Sequence, residues 1–299
     1  MTQQKIFSNK MNLKLLFIIS IVLISPVIIS WFYYSDYKGS KNIKNLSNYP
    51  ENEDFGLDSI KFEEGIPKVI YRTHKNRKII ENFKEEFEIT EKNTKGFKYE
   101  YFTDEECENF VKDNFSQRVY NAYSKINPKY GACRADLFRY LLIYKKGGIY
   151  LDIKSVIVKK IDKILEKNYD KLIVQHPLPI PFVNPFSYSF PPWGEYNQWA
   201  IVSPKGHPVL KKIIETIVYN IELESMKENK SLKGGLDVLT LTGPYMFTKI
   251  VKENIDMGVK ELNFNFNWSM RKKKSLFEGY RHKYERTPFY YQLDSYIVQ

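Results

Sequence analysis

Cysteine is scarce in this chain: Cys107 and Cys133 are the only two among 299 residues. One bond at most can join them, which excludes a disulfide framework and says little about redox compartment. Zinc-ligand spacing is missing, and so is any recognisable nucleic-acid motif. Those absences matter because a formal net charge of +11 would otherwise point to a nucleic acid. The charge is also placed for another purpose. Residues 1–44 carry Lys5, Lys10, Lys14, Lys38, Lys41 and Lys44 against Asp36 alone, a net +5. They flank an apolar run, for which a membrane surface is the natural partner. A second basic cluster, Arg271, Lys272, Lys273 and Lys274, lies near the C-terminus. No nucleic-acid partner is expected.

Charge itself is missing from Leu15 to Ser35. As a helix, that stretch covers roughly 30 Å, the thickness of a bilayer core. Trp31, Tyr33 and Tyr34 stand at one end, where an interfacial aromatic belt belongs. A cleaved signal peptide would have a shorter apolar region and a small-residue cleavage site, and neither is present. Pro26 kinks such a helix without forbidding it. The expected organisation is an N-terminal tail (1–14), a transmembrane anchor (15–35), a polar stem or linker (36–63) and a globular domain (64–299). Lys5, Lys10 and Lys14 favour a cytoplasmic tail and a type II, single-pass arrangement, against the pull of Lys38, Lys41 and Lys44.

The globular part has the means to bury a core, since 43% of the chain is apolar and only 27% charged. Ile66 to Arg72 is an apolar run opened by a proline and suits a buried strand. A basic and acidic helix pattern follows at about 76–91, and 97–102 alternates as a strand. Thr103-Asp104-Glu105-Glu106 has the form of a capping box that opens the next helix. Strands alternating with helices imply an α/β domain with a mainly parallel sheet.

The chemistry is concentrated between Tyr130 and Val156. Residues 132–146 read as a helix with an apolar stripe of Leu137, Tyr140, Leu141 and Tyr144. Asp136 and Arg139 share one face of it at i, i+3. Gly147 is placed to end the helix in a left-handed cap, and Gly148 turns the chain into the short strand Ile149-Tyr150-Leu151. Asp152 then stands at the carboxyl end of a strand, where open α/β sheets hold their ligands. Separately, Asp136–Arg139 reads as a surface helix pair and Asp152 as a turn residue. Together with Arg134 they form a far more specific pattern.

The motif R-A-D-x-x-R-Y-x-x-L/I-Y-x-x-G-G-I-Y-x-D, running from Arg134 to Asp152, resembles the core of glycosyltransferase family 32, the DXD-containing sugar transferases. This family includes α-1,6-mannosyltransferases and mannosyltransferases that act on inositol phosphoceramide. Ile66-Pro67-Lys68-Val69-Ile70 is similar to the family's opening strand. Gln198-Trp199-Ala200-Ile201, Lys205-Gly206-His207-Pro208 and Leu241-Thr242-Gly243-Pro244 follow in the same order, so the resemblance spans about residues 66–250.

The resemblance implies a GT-A (Rossmann-like) α/β fold, a nucleotide-diphosphate-sugar donor with GDP-mannose favoured, and a glycan or glycolipid acceptor. It also implies a divalent cation (Mn2+ or Mg2+), retention of anomeric configuration, and a lumenal catalytic domain in the Golgi or secretory pathway. By motif position, Arg134, Asp136, Arg139 and Tyr71 become donor-binding residues. Asp152 becomes the first carboxylate of the DXD motif, contacting ribose or metal.

Lys154 departs from the family, which has Asp there, and a protonated Lys donates but cannot coordinate a cation. Three readings of Lys154 stay open. A metal is held by Asp152 and a downstream ligand, Lys154 itself neutralises the diphosphate, or the chain is a carbohydrate-binding pseudoenzyme without turnover. His207 is equally well a structural histidine at a helix start, and Cys133 a small core residue. The aromatic, proline-rich loop from Pro177 to Trp199 suits stacking on a sugar acceptor or packing on its own domain.

The apolar run predicts that the full chain sediments with membranes and resists carbonate extraction, while a chain starting at Asp36 is soluble. Full-length protein recovered soluble with its N-terminus intact would rule out the anchor.

Overall fold

Pro67 has no N–H to give to a sheet, so the first strand starts later than the apolar run suggests, at Val69. From there the computed structural model runs β1 (Val69–Thr73), a 3-10 segment (Arg77–Phe83), α1 (Lys84–Asn93), β2 (Lys98–Phe102), α2 (Asp104–Asn114), α3 (Gln117–Lys125), α4 (Gly131–Lys146) and β3 (Gly148–Leu151). It continues with α5 (Asp162–Lys167), β4 (Leu172–Gln175), β5 (Ala200–Ser203), α6 (Pro208–Met226), α7 (Gly234–Leu241), α8 (Pro244–Glu253) and β6 (Val259–Leu262). The structure describes Pro50 and residues 53–175, 196–262 and 293–299, all within one unit formed by residues 46–177 and 195–299. The apolar run at 15–35, most of the aromatic loop after Pro177 and the basic cluster at 271–274 lie outside the described residues. Among the described residues, no helix is long and apolar enough to cross a membrane.

The capping box forms as expected. Thr103 Oγ1 accepts from the Glu106 N–H at 3.3 Å, and Glu106 Oε2 accepts from the Thr103 N–H at 2.8 Å, which starts α2. Gly147 ends α4 with φ +67°, as expected of a glycine, but its ψ of −173° is extended rather than left-handed helical. The chain therefore leaves the helix directly into β3. A Cβ on Gly147 would meet the Lys205 nitrogen at 2.8 Å and Pro67 Cδ at 2.9 Å, so the close approach also needs glycine.

The six strands form one sheet in the order β2-β1-β3-β5-β4-β6. β1 pairs in parallel with β2 and β3, and β4 with β6, while β5 runs antiparallel to both β3 and β4. The sheet is thus mixed, where a mainly parallel one was expected. The exception has a consequence for position. An antiparallel β5 begins at the edge where β1, β3 and β4 end, so Gln198 and Trp199 arrive beside Asp152. That edge is the carboxyl edge of β1, β3 and β4.

Apolar side chains cover both faces. One face carries Ile70, Ile149, Leu151, Ile173 and Val202 against Phe97, Ile157, Ile161 and Leu165. The other is covered by α4 and α6, with Leu137, Leu141, Leu210, Ile213, Ile214 and Ile217 fully buried. Only a stripe of α4 was expected to be apolar, yet every residue from Asp136 to Tyr144 is buried. The helix lies inside the fold, enclosed by the sheet, α6, α2 and α7. Asp136 and Arg139 are therefore held by packing on all sides.

The C-terminal residues close the structure near the start of α4. Ile297 and Val298 are fully buried, and Ile297 O accepts from the Asn127 N–H at 2.8 Å. The Tyr130 hydroxyl, just before α4, donates to Ser295 O at 2.5 Å. Burying two aliphatic side chains stabilises by about 3–6 kcal/mol in all. Deleting residues 297–299 is expected to lower the urea midpoint by an amount matching that loss, read by circular dichroism. An unchanged midpoint would remove the tail from the core.

Candidate functional site

Helix α4 brings Asp136 and Arg139 under the carboxyl edge, and β3 ends at Leu151, so that Asp152 just beyond it reaches Arg139. Arg139 Nη2 contacts Asp136 Oδ1 at 2.9 Å and Asp152 Oδ1 at 3.3 Å, so one guanidinium bridges two carboxylates. Its Nη1 donates to Gln198 O at 3.1 Å and its Nε to Ala135 O at 3.3 Å. The guanidinium also lies 4.9 Å from the centre of the Tyr150 ring. Hydrogen bonds take its Nε and one hydrogen of Nη1, the other Nη1 hydrogen is uncommitted among the described residues, and Nη2 stands in ion-pair contact with both carboxylates.

Asp136 is held more completely. Gln198 Nε2 donates to its Oδ1 at 3.2 Å, and Thr242 Oγ1 donates to its Oδ2 at 3.1 Å. Burial pushes its pKa up to about 7, with the charge of Asp152 adding to the rise and Arg139, Thr242 and Gln198 opposing it. Asp152 is the accessible member, its side chain 27% exposed against 7% for Asp136. Tyr150 donates from its hydroxyl to Asp152 Oδ1 at 3.1 Å, and Oδ2 has no partner among the described residues.

A buried cation supports the turn that follows. The Ser155 N–H bonds to Asp152 O at 2.9 Å, which closes a turn through Ile153 and Lys154. Arg72, only 2% exposed, donates from Nη1 to Asp152 O at 2.9 Å and to Ile153 O at 3.0 Å. Its guanidinium stacks 4.4 Å from the Phe87 ring centre. Burial lowers its pKa to about 10, which still leaves it charged at neutral pH. Lys154 is exposed at the third position of this turn.

The structure gathers Asp136, Arg139 and Asp152 and sets Arg134 and Tyr71 elsewhere. Arg134 faces away from this cluster. Its Nη2 pairs with Glu108 Oε2 at 2.8 Å and its guanidinium lies over the Tyr123 ring, tying α4 to α2 and α3. A separation of five positions turns residues 134 and 139 to different sides of a helix. Tyr71 is buried in the core beside Phe102, its ring centre 6.3 Å away.

Gln198, Thr242, Tyr150 and Arg72 were not singled out as site residues in the sequence. The first two stand in the quoted Q-W-A-I and L-T-G-P segments, so the motifs held the signal without saying that they meet at Asp136. His207 is structural: it caps α6, with Nδ1 accepting from the Val209 N–H at 3.3 Å and Nε2 donating to Gly258 O at 3.1 Å. Burial lowers its pKa to about 4. Cys133 is fully buried against Thr242, and burial raises its thiol pKa.

A divalent cation is the natural partner of a DXD motif, but the described residues do not fit one by themselves. Asp152 offers one uncommitted oxygen beside a guanidinium, Lys154 has none, and Asp136 is enclosed. Among the described residues no group of three or more His, Cys, Asp or Glu side chains can hold a metal ion.

Residues 80–170, which include α4, β3 and the Asp152 turn, match the family model described as a glycosyltransferase sugar-binding region containing a DXD motif. The chain is 32% identical over 176 residues to an initiation-specific alpha-1,6-mannosyltransferase of Candida albicans, covering 52% of this chain and 44% of that protein. It is 27% identical over 213 residues to the protein of that name from Schizosaccharomyces pombe, covering 66% and 50% respectively. The chain thus spans about half the length of the curated relatives it matches. Among solved structures, PaToxG glycosyltransferase aligns with a TM-score of 0.45 at 16% identity, covering 78% of this chain and 81% of that one. The family match and the curated relatives bear out the resemblance to glycosyltransferase family 32 read from the motifs.

Asp136 generates a pH prediction. Its pKa is raised from 3.8 to about 7, so its contribution to stability is complete below pH 3.8 and is lost as pH rises through 7. The stability difference between wild type and Asp136→Asn should therefore move against wild type from pH 4 to pH 8. Urea unfolding across that range measures it, and a pH-independent difference would mean that Asp136 does not titrate there.

Proposed function

We propose that this chain is a GT-A-type glycosyltransferase moving a hexose, with mannose favoured, from a nucleotide-diphosphate sugar to a glycan or glycolipid. GDP-mannose is the favoured donor, retention the expected stereochemistry, and residues 15–35 the anchor of a lumenal domain in the secretory pathway. The observation that carries this reading is the convergence of Asp136, Arg139, Asp152, Gln198 and Thr242, from three separate sequence motifs, at the carboxyl edge of the sheet. Such an edge is where α/β sheets bind nucleotides.

The geometry divides the labour among the residues. Asp152 Oδ2 accepts hydrogen bonds from donor hydroxyls, and the uncommitted Nη1 hydrogen of Arg139 is aimed by the contacts around it. Asp136, expected to hold a sugar hydroxyl directly, is enclosed by Arg139, Gln198 and Thr242, so its part is to orient Arg139. The departing nucleoside diphosphate gains charge in the transition state, and preorganised donors placed there lower the barrier. Lys154, on an exposed turn held by Arg72, is the chain's own candidate for that contact.

Turnover of a nucleotide-sugar panel by purified residues 36–299, read as nucleoside diphosphate release, tests the activity. Release of none would favour the pseudoenzyme reading that Lys154 motivates. A charge-assisted hydrogen bond to the diphosphate is worth about 1.5–3 kcal/mol, so Lys154→Ala should lower turnover about 10- to 150-fold. Lys154→Asp restores the usual motif and should make turnover more dependent on manganese or magnesium. Wild-type activity abolished by a chelator, together with a silent Lys154→Ala, would sink the role given to Lys154.

A further inference from the structure

Residues 198 and 199 hold all three charged members of the site at once. Gln198 O accepts from Arg139 Nη1 at 3.1 Å, and Gln198 Nε2 donates to Asp136 Oδ1 at 3.2 Å. The next carbonyl, Trp199 O, accepts from the Asp152 N–H at 2.9 Å. Gln198 Oε1 takes the hydroxyl of Tyr140, which also lies 3.0 Å from Thr242 O. Gln198 is 9% exposed, and Tyr140 is fully buried and stacked on Phe247 at 5.7 Å. The antiparallel pairing of Leu151 with Ala200 sets the register that puts these two carbonyls opposite Asp152 and Arg139.

We propose that Gln198 is the positioning residue of this site, fixing the Asp136–Arg139 pair relative to Asp152. The chemistry calls for an amide. Asp136 accepts when ionised and takes a second donor beside Thr242, while the Tyr140 hydroxyl is shared between Thr242 O and an acceptor on residue 198. A primary amide supplies both from one planar group and turns neither end away. Methionine has similar length but supplies neither, and glutamate would set a second carboxylate against Asp136. With the amide gone, the backbone carbonyl still holds Arg139 Nη1, but Asp136 is free to swing toward Thr242 and draw Nη2 with it. Arg139 would then lose its fixed aim at Asp152.

The consequence for turnover rests on the transferase reading, so the test has one arm that needs no turnover. In the full chain, nitrogen-15 NMR of arginine side chains reports whether a guanidinium is held, because its two Nη nitrogens give separate signals only when rotation is blocked. The Arg139 signals are identified by their disappearance in Arg139→Lys. Wild type should show them resolved, and Gln198→Met should merge them. In the kinetic arm, Gln198→Met should lower kcat roughly 100-fold, the scale of a misplaced catalytic group, with donor KM within about threefold. A filler role predicts the opposite, since Met replaces the volume and would keep kcat. Gln198→Glu should merge the signals as well, which keeps the test open if the Met variant fails to fold. Resolved Arg139 signals in both variants, or full kcat in Gln198→Met, would overturn the proposal. A wild type without turnover would sink the transferase reading alone, and the NMR arm would still decide the role of Gln198.

Discussion

A guanidinium buried between two carboxylates is the interaction on which the site depends. Removing a charge from water costs several kcal/mol, and the interior repays it only when the geometry is good and the remaining hydrogens are satisfied. Around Arg139 one planar group meets Asp136, Asp152, Gln198 O and Ala135 O, and one Nη1 hydrogen stays uncommitted among the described residues. Two carboxylates against one guanidinium leave an excess of negative charge. Thr242 and Gln198 oppose it by donating to Asp136, yet burial and Asp152 still hold its pKa near 7. A site built in this way is expensive to assemble and hard to deform.

A second buried cation stands one strand away, although its Nε has no hydrogen-bond partner among the described residues. Arg72 spends its charge on two backbone carbonyls and an aromatic face, and thereby fixes the turn that presents Asp152 and Lys154. The two arginines have different tasks because they approach from different elements. Arg139 comes from the helix and meets the side chain of Asp152, while Arg72 comes from β1 and meets its carbonyl. Between them the Asp152 side chain and main chain are both anchored, with Oδ2 uncommitted among the described residues and Lys154 exposed two positions on.

The reversed strand β5 links the site to the fold. Were β5 parallel to β3, its approach would lie at the opposite edge, and Gln198 and Trp199 would be remote from Asp152. The long burial of α4 has a related effect. A surface helix could rotate a little about its axis, but one enclosed on all sides cannot, so Asp136 and Arg139 keep their heights beneath the sheet edge. The closure of the C-terminal residues on Tyr130 ties down the start of the same helix.

Local features were legible directly from residue order, because they depend on neighbours within a few positions. The capping box at Thr103, the stop at Gly147 and the i, i+3 pair of Asp136 and Arg139 are of this kind. Short-range physics carries them, and the structure reproduces them with only the ψ of Gly147 differing. The α/β class and the place of Asp152 at a strand end were legible for the same reason. What only tertiary structure decided is which long-separated groups meet. Arg134 has the same residue type and helix as Arg139, and the helix period separates their faces without saying which face meets the site; packing sends one to Glu108 and the other to Asp152. Tyr71 alternates into the core by the pleat of β1 and its neighbours' bulk. Gln198 and Thr242 reach Asp136 across 62 and 106 positions of chain, through a strand reversal that no hydrophobic period encodes. A sequence pattern specifies which face of an element is apolar, whereas the partner of a buried charge is set by how those faces stack.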